Sequence, residues 1–173
     1  MGTLTVDNLN VNSTATISSG VGKVLQVQSS FKADTDSTTS TSDVAISGLS
    51  LTLTPASTSS KVLVQFDVGT AGNNASSHFF FTVYRSIGGG SYSAIAQGTG
   101  GGSYNYGAGS YAGNGAYHAV GHCFLDSPNT TSEITYKLYF RGSSGSYTYY
   151  INRRSSDDLF RGSTSLICME VKG

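Results

Sequence analysis

Between Val44 and Val68 the chain alternates apolar and polar residues with a period of two. Leu49, Leu51 and Leu53 are interleaved with Ser50, Thr52 and Thr54, and Val62, Val64, Phe66 and Val68 with Leu63, Gln65 and Asp67. Side chains alternate faces along a strand, so each run buries one face. The intervening Pro55–Ser60 is a connection, because proline removes a ladder donor and short polar residues favour turns. Two strands around a polar turn do not stand alone in water, so further sheet must cover them.

The rest of the chain supplies that sheet. Lys23–Phe31 places Leu25, Val27 and Phe31 on one face, and Glu133–Arg141 directs Ile134, Tyr136, Leu138 and Phe140 inward with Lys137 and Arg141 outward. Tyr92–Gln97, Ala116–Asp126 and Tyr147–Arg153 also have strand character, whereas Asp34–Ser42 reads as a loop or an exposed edge strand. His78–Ser86 is apolar on both faces, with Phe79, Phe81 and Val83 on one and Phe80 and Tyr84 on the other. Ser165–Lys172 repeats this, with Ile167, Met169 and Val171 opposite Leu166 and Cys168. A strand apolar on both faces is buried on both. Phe79, Phe80, Phe81, Tyr84, Ile167, Met169 and Val171 are therefore candidates for the core or for a subunit interface, and closed symmetric assembly is the usual outcome. About nine or ten strands, with no helix-period segment longer than a turn, predict an all-β fold: an antiparallel β-sandwich or jelly roll over residues 23–173.

Residues 1–22 differ from this body. Leu4, Val6, Leu9, Val11 and Ile17 are spaced apolar residues among Thr, Asn and Ser, in a segment too short to make its own core. A disordered leader is one reading. The repeated apolar spacing favours an extended N-terminal arm that anchors on a neighbouring subunit or surface.

Charge narrows the function. Ten basic and ten acidic residues give a net charge of zero, and only 12% of residues are charged. No basic stripe marks a nucleic-acid binder, and no apolar run approaches a membrane span. The start, MGTLTVDNLN, lacks the basic and apolar regions of a signal peptide, so synthesis in a reducing cytoplasm is expected and the Asn12, Asn74 and Asn129 sequons stay bare. Cys123 and Cys168 each sit in an apolar strand pattern and read as buried thiols, a bridge between two strands being the alternative.

No catalytic or cofactor-binding constellation is visible. Asp34 and Asp36 lack the further carboxylates and turn glycine of a calcium loop. His118 and His122 lie on one face of a strand, separated along it, and read as structural. There is no Gly-x-Ser-x-Gly elbow, and Glu133 and Glu170 do not suggest a convergent acid pair. No enzyme, metal or cofactor is expected.

Gly98–Gly115, GTGGGSYNYGAGSYAGNG, is too long and glycine-rich for an ordinary connection and has no phosphate-loop pattern. Gly, Ser and Asn give an adaptable backbone and tyrosine gives amphipathic contact area, the mixture found in binding loops. Tyr104, Asn105, Tyr106, Tyr111 and Asn114 are candidate recognition residues, against a flexible loop with incidental tyrosines.

Several motifs, in order, resemble one family. Gly22–Val27, the Thr/Ser run before Asp43, Gly48–Val64, Phe124–Pro128, Thr135–Lys137, Ile151–Arg153 and Ser165–Val171 are similar to a module of tailed-bacteriophage virion proteins, and Leu4–Val11 resembles segments that precede it. The tyrosine–glycine loop departs from the pattern. The resemblance implies a homotrimeric β-sandwich, like tumour-necrosis-factor jelly rolls, displayed on the virion surface. It implies either a capsid decoration (cement) protein, whose partner is the major capsid protein held through the arm, or the tip of a tail fibre or tailspike that binds a host-cell surface glycan or protein. It carries no catalytic residues.

Overall fold

The computed structural model describes residues 23–100, 102, 104–111, 116–155, 157 and 159–173; the anchoring-arm candidates Leu4, Val6, Leu9, Val11 and Ile17, and Asn114 of the loop, lie outside the described residues. The described chain forms eleven strands: β1 (Val24–Lys32), β2 (Asp36–Thr38), β3 (Val44–Leu53), β4 (Lys61–Gly72), β5 (His78–Ile87), β6 (Ser93–Ile95), β7 (Ala108–Tyr111), β8 (His118–Asp126), β9 (Ile134–Gly142), β10 (Tyr149–Ile151) and β11 (Thr164–Val171). All pairings are antiparallel.

The strands make two sheets. In the first, β8 pairs with one side of β4, while β11 and then β10 pair with its other side, and β1 and β2 close the edge. In the second, β3, β9 and β5 lie side by side, and β6 and β7 share the free side of β5. The chain passes from sheet to sheet between β2 and β3, β3 and β4, β4 and β5, β7 and β8, β8 and β9, and β9 and β10. The fold is an antiparallel β-sandwich of jelly-roll type.

The core follows the alternation read from sequence. Val62, Val64, Phe66 and Val68 of β4 and Leu166 and Cys168 of β11 meet Leu49, Leu51 and Leu53 of β3 and Tyr136, Leu138 and Phe140 of β9. Phe79 and Phe81 of β5 are fully buried, and Phe79 meets the Tyr149 ring edge-on at 5.0 Å. That ring needs Gly142 beneath it, because any side chain at 142 would occupy the same space. At one end, Asp126 of β8 accepts from Arg85 (2.7 Å) and from the Tyr136 hydroxyl (2.7 Å), tying the two sheets together. Burial, then the Asp126 charge, drives the Tyr136 phenol far above its ordinary pKa.

Three elements differ from the sequence reading. Part of the glycine-rich segment is a strand, β7, because pairing with β5 overrides the weak strand propensity of Ala108–Tyr111. The strand expected over Tyr147–Arg153 is confined to β10, and the chain then leaves the sheet until β11. Cys123 faces solvent on the outer face of β8 rather than the core. Asp34–Ser42 contains an edge strand, β2, on β10.

Where β10 gives way to β11, Asn152 sits buried with φ of 61°. Its N–H donates to the Gly69 carbonyl of β4 (2.8 Å). Its side-chain Nδ2 donates to the carbonyls of Lys32 (2.9 Å) and Asp34 (3.0 Å), spanning the break between β1 and β2, and its Oδ1 accepts from Thr164 (2.8 Å). Asparagine tolerates this left-handed backbone better than most side chains.

Glu170 is the other buried polar anchor. It points inward from β11, accepts from the Ala56 N–H (2.7 Å) and the Gln26 amide (2.6 Å), and so holds the Pro55–Ser60 connection against the end of the sandwich. Burial pushes its carboxyl upward, but these donors outweigh that and keep the folded-state pKa below the ordinary 4.5.

Replacing Asn152 by Ala leaves buried carbonyls and a hydroxyl unpaired and strains the backbone, so it should cost about 3 kcal/mol; Asn152→Gly, free of the strain, should cost less. Urea midpoints at unchanged slope measure both. Because the Glu170 pKa falls on folding, its stabilisation is present above pH 4.5 and is lost as pH drops through the lower folded value. Melting temperatures between about pH 7 and about pH 3 should therefore fall less steeply for Glu170→Gln than for the parent.

Candidate functional site

Two outer surfaces of the sandwich carry features that the core does not require. On the first sheet, Val27 of β1, Met169 of β11, Leu63 of β4 and Leu125 of β8 are successive register partners and form one transverse row. Val27 and Leu125 are 53% and 56% exposed. Leu25 and Phe31 of β1 extend the apolar surface along one edge, and Ile167 and Val171 are half-buried on the same face of β11.

β1 is reversed relative to an ordinary sandwich strand. Its apolar side faces outward, and its inward side is polar and satisfied. Gln26 bonds to Glu170, Ser30 to the Gly48 carbonyl (2.9 Å), and Lys32 to Asp34 (3.0 Å) and Ser47 (3.1 Å). Pairing with β11 fixes this orientation, since a one-residue slip would exchange the two faces and strand the polar groups.

The second sheet bears a different surface. Phe80 points outward from β5, yet it is covered by Tyr104 (ring centroids 4.7 Å apart, interplanar angle 18°) and Tyr106 (4.6 Å). Tyr104 itself is 44% exposed. The Arg141 guanidinium lies over both Phe80 and Tyr104, at 5.3 and 5.6 Å from their centroids. Arg141 is itself held, by Asp43 (3.2 Å) and by the carbonyls of Thr41 and Asn105. These rings, with Tyr147 and His78, wall an open cleft of about 650 Å³ whose polar lining includes Ser76 and Ser143. That volume lies within the usual range of ligand sites.

The cleft segment leaves and rejoins the edge of the sheet between β6 and β7. Gly98 N–H donates to the Tyr106 carbonyl (3.1 Å), Gly107 N–H donates to the Phe81 carbonyl (2.9 Å), and Gln97 bonds to the Asn105 carbonyl (3.2 Å). The excursion is therefore pinched at its base, which presents Tyr104 above Phe80.

The predicted site residues separate accordingly. Phe79 and Phe81 belong to the core, Phe80 lies under the chain's own tyrosines, and Ile167, Met169 and Val171 lie on the outer face of the first sheet. Tyr84 packs on Tyr139 (4.1 Å) and donates to Asp43 (2.7 Å). Burial, then this carboxylate, pushes its phenol up to about 12. Of the loop candidates, Tyr104 and Tyr106 come together, whereas Tyr111 lies on β7 against His78 (5.0 Å) and Asn105 contributes its backbone carbonyl. Ser76, His78, Ser143 and Tyr147 were not singled out as site residues; they reach the cleft from the β4–β5 and β9–β10 ends, a convergence with no local spacing signal.

Asp34 pairs with Lys32, whose ammonium holds its carboxyl below the ordinary value, and Asp36 accepts from Ser47. No group of three or more His, Cys, Asp or Glu side chains among the described residues is placed to hold a metal ion. His122 packs between Phe66 (6.1 Å) and Phe124 (5.5 Å), as a structural histidine does.

No protein-family model matches the chain, and no curated protein does. Solved structures of infectious bursal disease virus are similar to it. The Gt strain structure is 12% identical, with a TM-score of 0.49, over 96% of this chain and 42% of that one. The VP2 subviral particle is 13% identical, with a TM-score of 0.43, over 96% and 44%. The chain spans less than half the length of the structures it matches.

Both cysteines are free. Burial, then the Asp126 charge, pushes the Cys168 thiol up to about 12, while Cys123 is exposed. Titration of the native protein with a thiol-specific disulfide reagent should modify Cys123 rapidly and Cys168 only on unfolding, and Cys123→Ser should abolish the native reaction.

Proposed function

We propose that this chain is a virion structural protein: a capsid decoration protein that forms homotrimers on the outer surface of a phage capsid and reinforces its subunits through residues 1–22. The observation that carries this reading is the exposed apolar row Val27–Met169–Leu63–Leu125, set beside a strand whose apolar side faces outward. Contiguous apolar surface of this kind marks an interaction site on a soluble protein. Residues 1–22 join the body at this same sheet, since Lys23 immediately precedes β1 and its carbonyl accepts from the Lys172 N–H (2.8 Å). In so uncharged a segment, burial of Leu4, Val6, Leu9, Val11 and Ile17 is the obvious source of affinity for the major capsid protein. The resemblance of the motif order to phage virion modules supports the same reading.

A second reading, the distal tip of a tail fibre or tailspike that binds host surface glycan or protein, is favoured by the aromatic cleft.

Quantitative mass spectrometry of purified particles separates the two. Decoration predicts a copy number rivalling the major capsid protein; a tail tip predicts a handful per particle, and absence from particles overturns both. A chain shortened to residues 23–173 should still form trimers in light scattering but no longer join capsids. Val27→Asp with Leu125→Glu should give folded monomers.

A further inference from the structure

We infer that the cleft over Phe80 is a binding site for an uncharged saccharide, which stacks a pyranose ring on Tyr104. This deepens the recognition reading and rests on it only for the role of binding in a virion; binding itself is a property of the isolated chain.

The geometry prepares a platform rather than a mobile ring. Tyr104 is stacked on Phe80, has the held Arg141 guanidinium over its ring at 5.6 Å from the centroid, and is bonded at its hydroxyl to the Ser143 carbonyl (3.4 Å). It remains 44% exposed although the segment around it is pinned at Gly98 and Gly107. A flat aromatic face held in place loses little entropy on binding and matches the C–H face of a sugar ring. Tyr106 and Tyr147 supply further apolar wall, and the Ser76 and Ser143 side chains supply hydroxyls at its rim.

Charge selects among saccharides. The lining contains no Lys, Arg, Asp or Glu among the described residues. The nearest cation, Arg141, is committed to Asp43 and to the Thr41 and Asn105 carbonyls behind the rings. The described lining offers an acidic sugar no lysine or arginine, and its histidine, His78, is engaged through Nδ1 with the Ser76 carbonyl (3.0 Å), whereas hexose, deoxyhexose or N-acetylhexosamine units are matched. With no carboxylate pair in the lining, the site binds without cleaving.

The test is saturation-transfer NMR on the intact chain with maltotriose, 2′-fucosyllactose and chitotriose as neutral probes, beside sialyllactose and N-acetyltyrosinamide. Transfer into the ring protons of at least one neutral probe is expected. Tyr104→Ala should weaken that binding about tenfold and Tyr104→Phe should leave it within about threefold, the difference being the stacking face. Ser76→Glu, at an exposed rim position, should likewise weaken it and serves if Tyr104→Ala does not fold. Transfer to none of the neutral probes, transfer only to sialyllactose or the tyrosine amide, or equal affinity in Tyr104→Ala overturns the assignment. If neutral sugar binds but particles carrying Tyr104→Ala adsorb to cells normally, the saccharide site stands and the recognition reading falls.

Discussion

Asn152 is the point on which the architecture of the first sheet turns. β4 is twelve residues long, and the partners on one side of it are two separate strands, β11 and β10. The edge beyond them is broken too, into β1 and β2. Such paired breaks would leave buried carbonyls without donors, at a cost of about 1–3 kcal/mol each. One carboxamide satisfies Lys32 and Asp34 across the outer break and takes the Thr164 hydroxyl across the inner one. The chain can then leave the sheet after β10, close Gly162 N–H on the Asn152 carbonyl (3.1 Å), and re-enter in register as β11. Everything β11 carries, from Leu166 in the core to Met169 on the outer row, inherits its position from that repair.

The two sheets resolve the same difficulty in opposite ways. Both contain a strand that is apolar on its outer face. On the second sheet the chain covers itself, with Tyr104 and Tyr106 over Phe80 and Tyr139 against Tyr84. On the first sheet nothing among the described residues covers Val27, Leu125 or Phe31, which is 68% exposed. The sandwich is thus covered by its own side chains over the second sheet and left apolar and open over the first.

Most of the body was legible in sequence because period two is a strong signal where one face is buried. Leu49, Leu51 and Leu53, the inward residues of β4, and Ile134, Tyr136, Leu138 and Phe140 all lie where alternation puts them. Alternation assigns residues to a common face but not that face to the inside; for Val27 and Phe31 it is the register against β11 that decides, and they face out, while Leu25 falls at a register shift between Val24 and Gln26. Glu170 and Asn152 were hidden for a related reason. Their partners lie 114 and 120 residues away, so no local pattern announces a buried carboxylate or a buried amide. The cleft was half legible: tyrosines in a glycine-rich stretch pointed to contact area, but Phe80 beneath them and Tyr147 and Ser76 beside them converge only in three dimensions.

The pinch at the base of the tyrosine-bearing segment also bears on how such a surface can change over time. β6 and β7 both pair with β5, and Gly98 and Gly107 fix where the segment departs and returns. The ladder on either side does not register what lies between. Doubling the intervening length would add only about 0.6 kcal/mol of closure entropy. The jelly roll therefore works as a chassis with an exchangeable cassette: residues 99–106 can be lengthened, shortened or rewritten while the core and the apolar row keep their places.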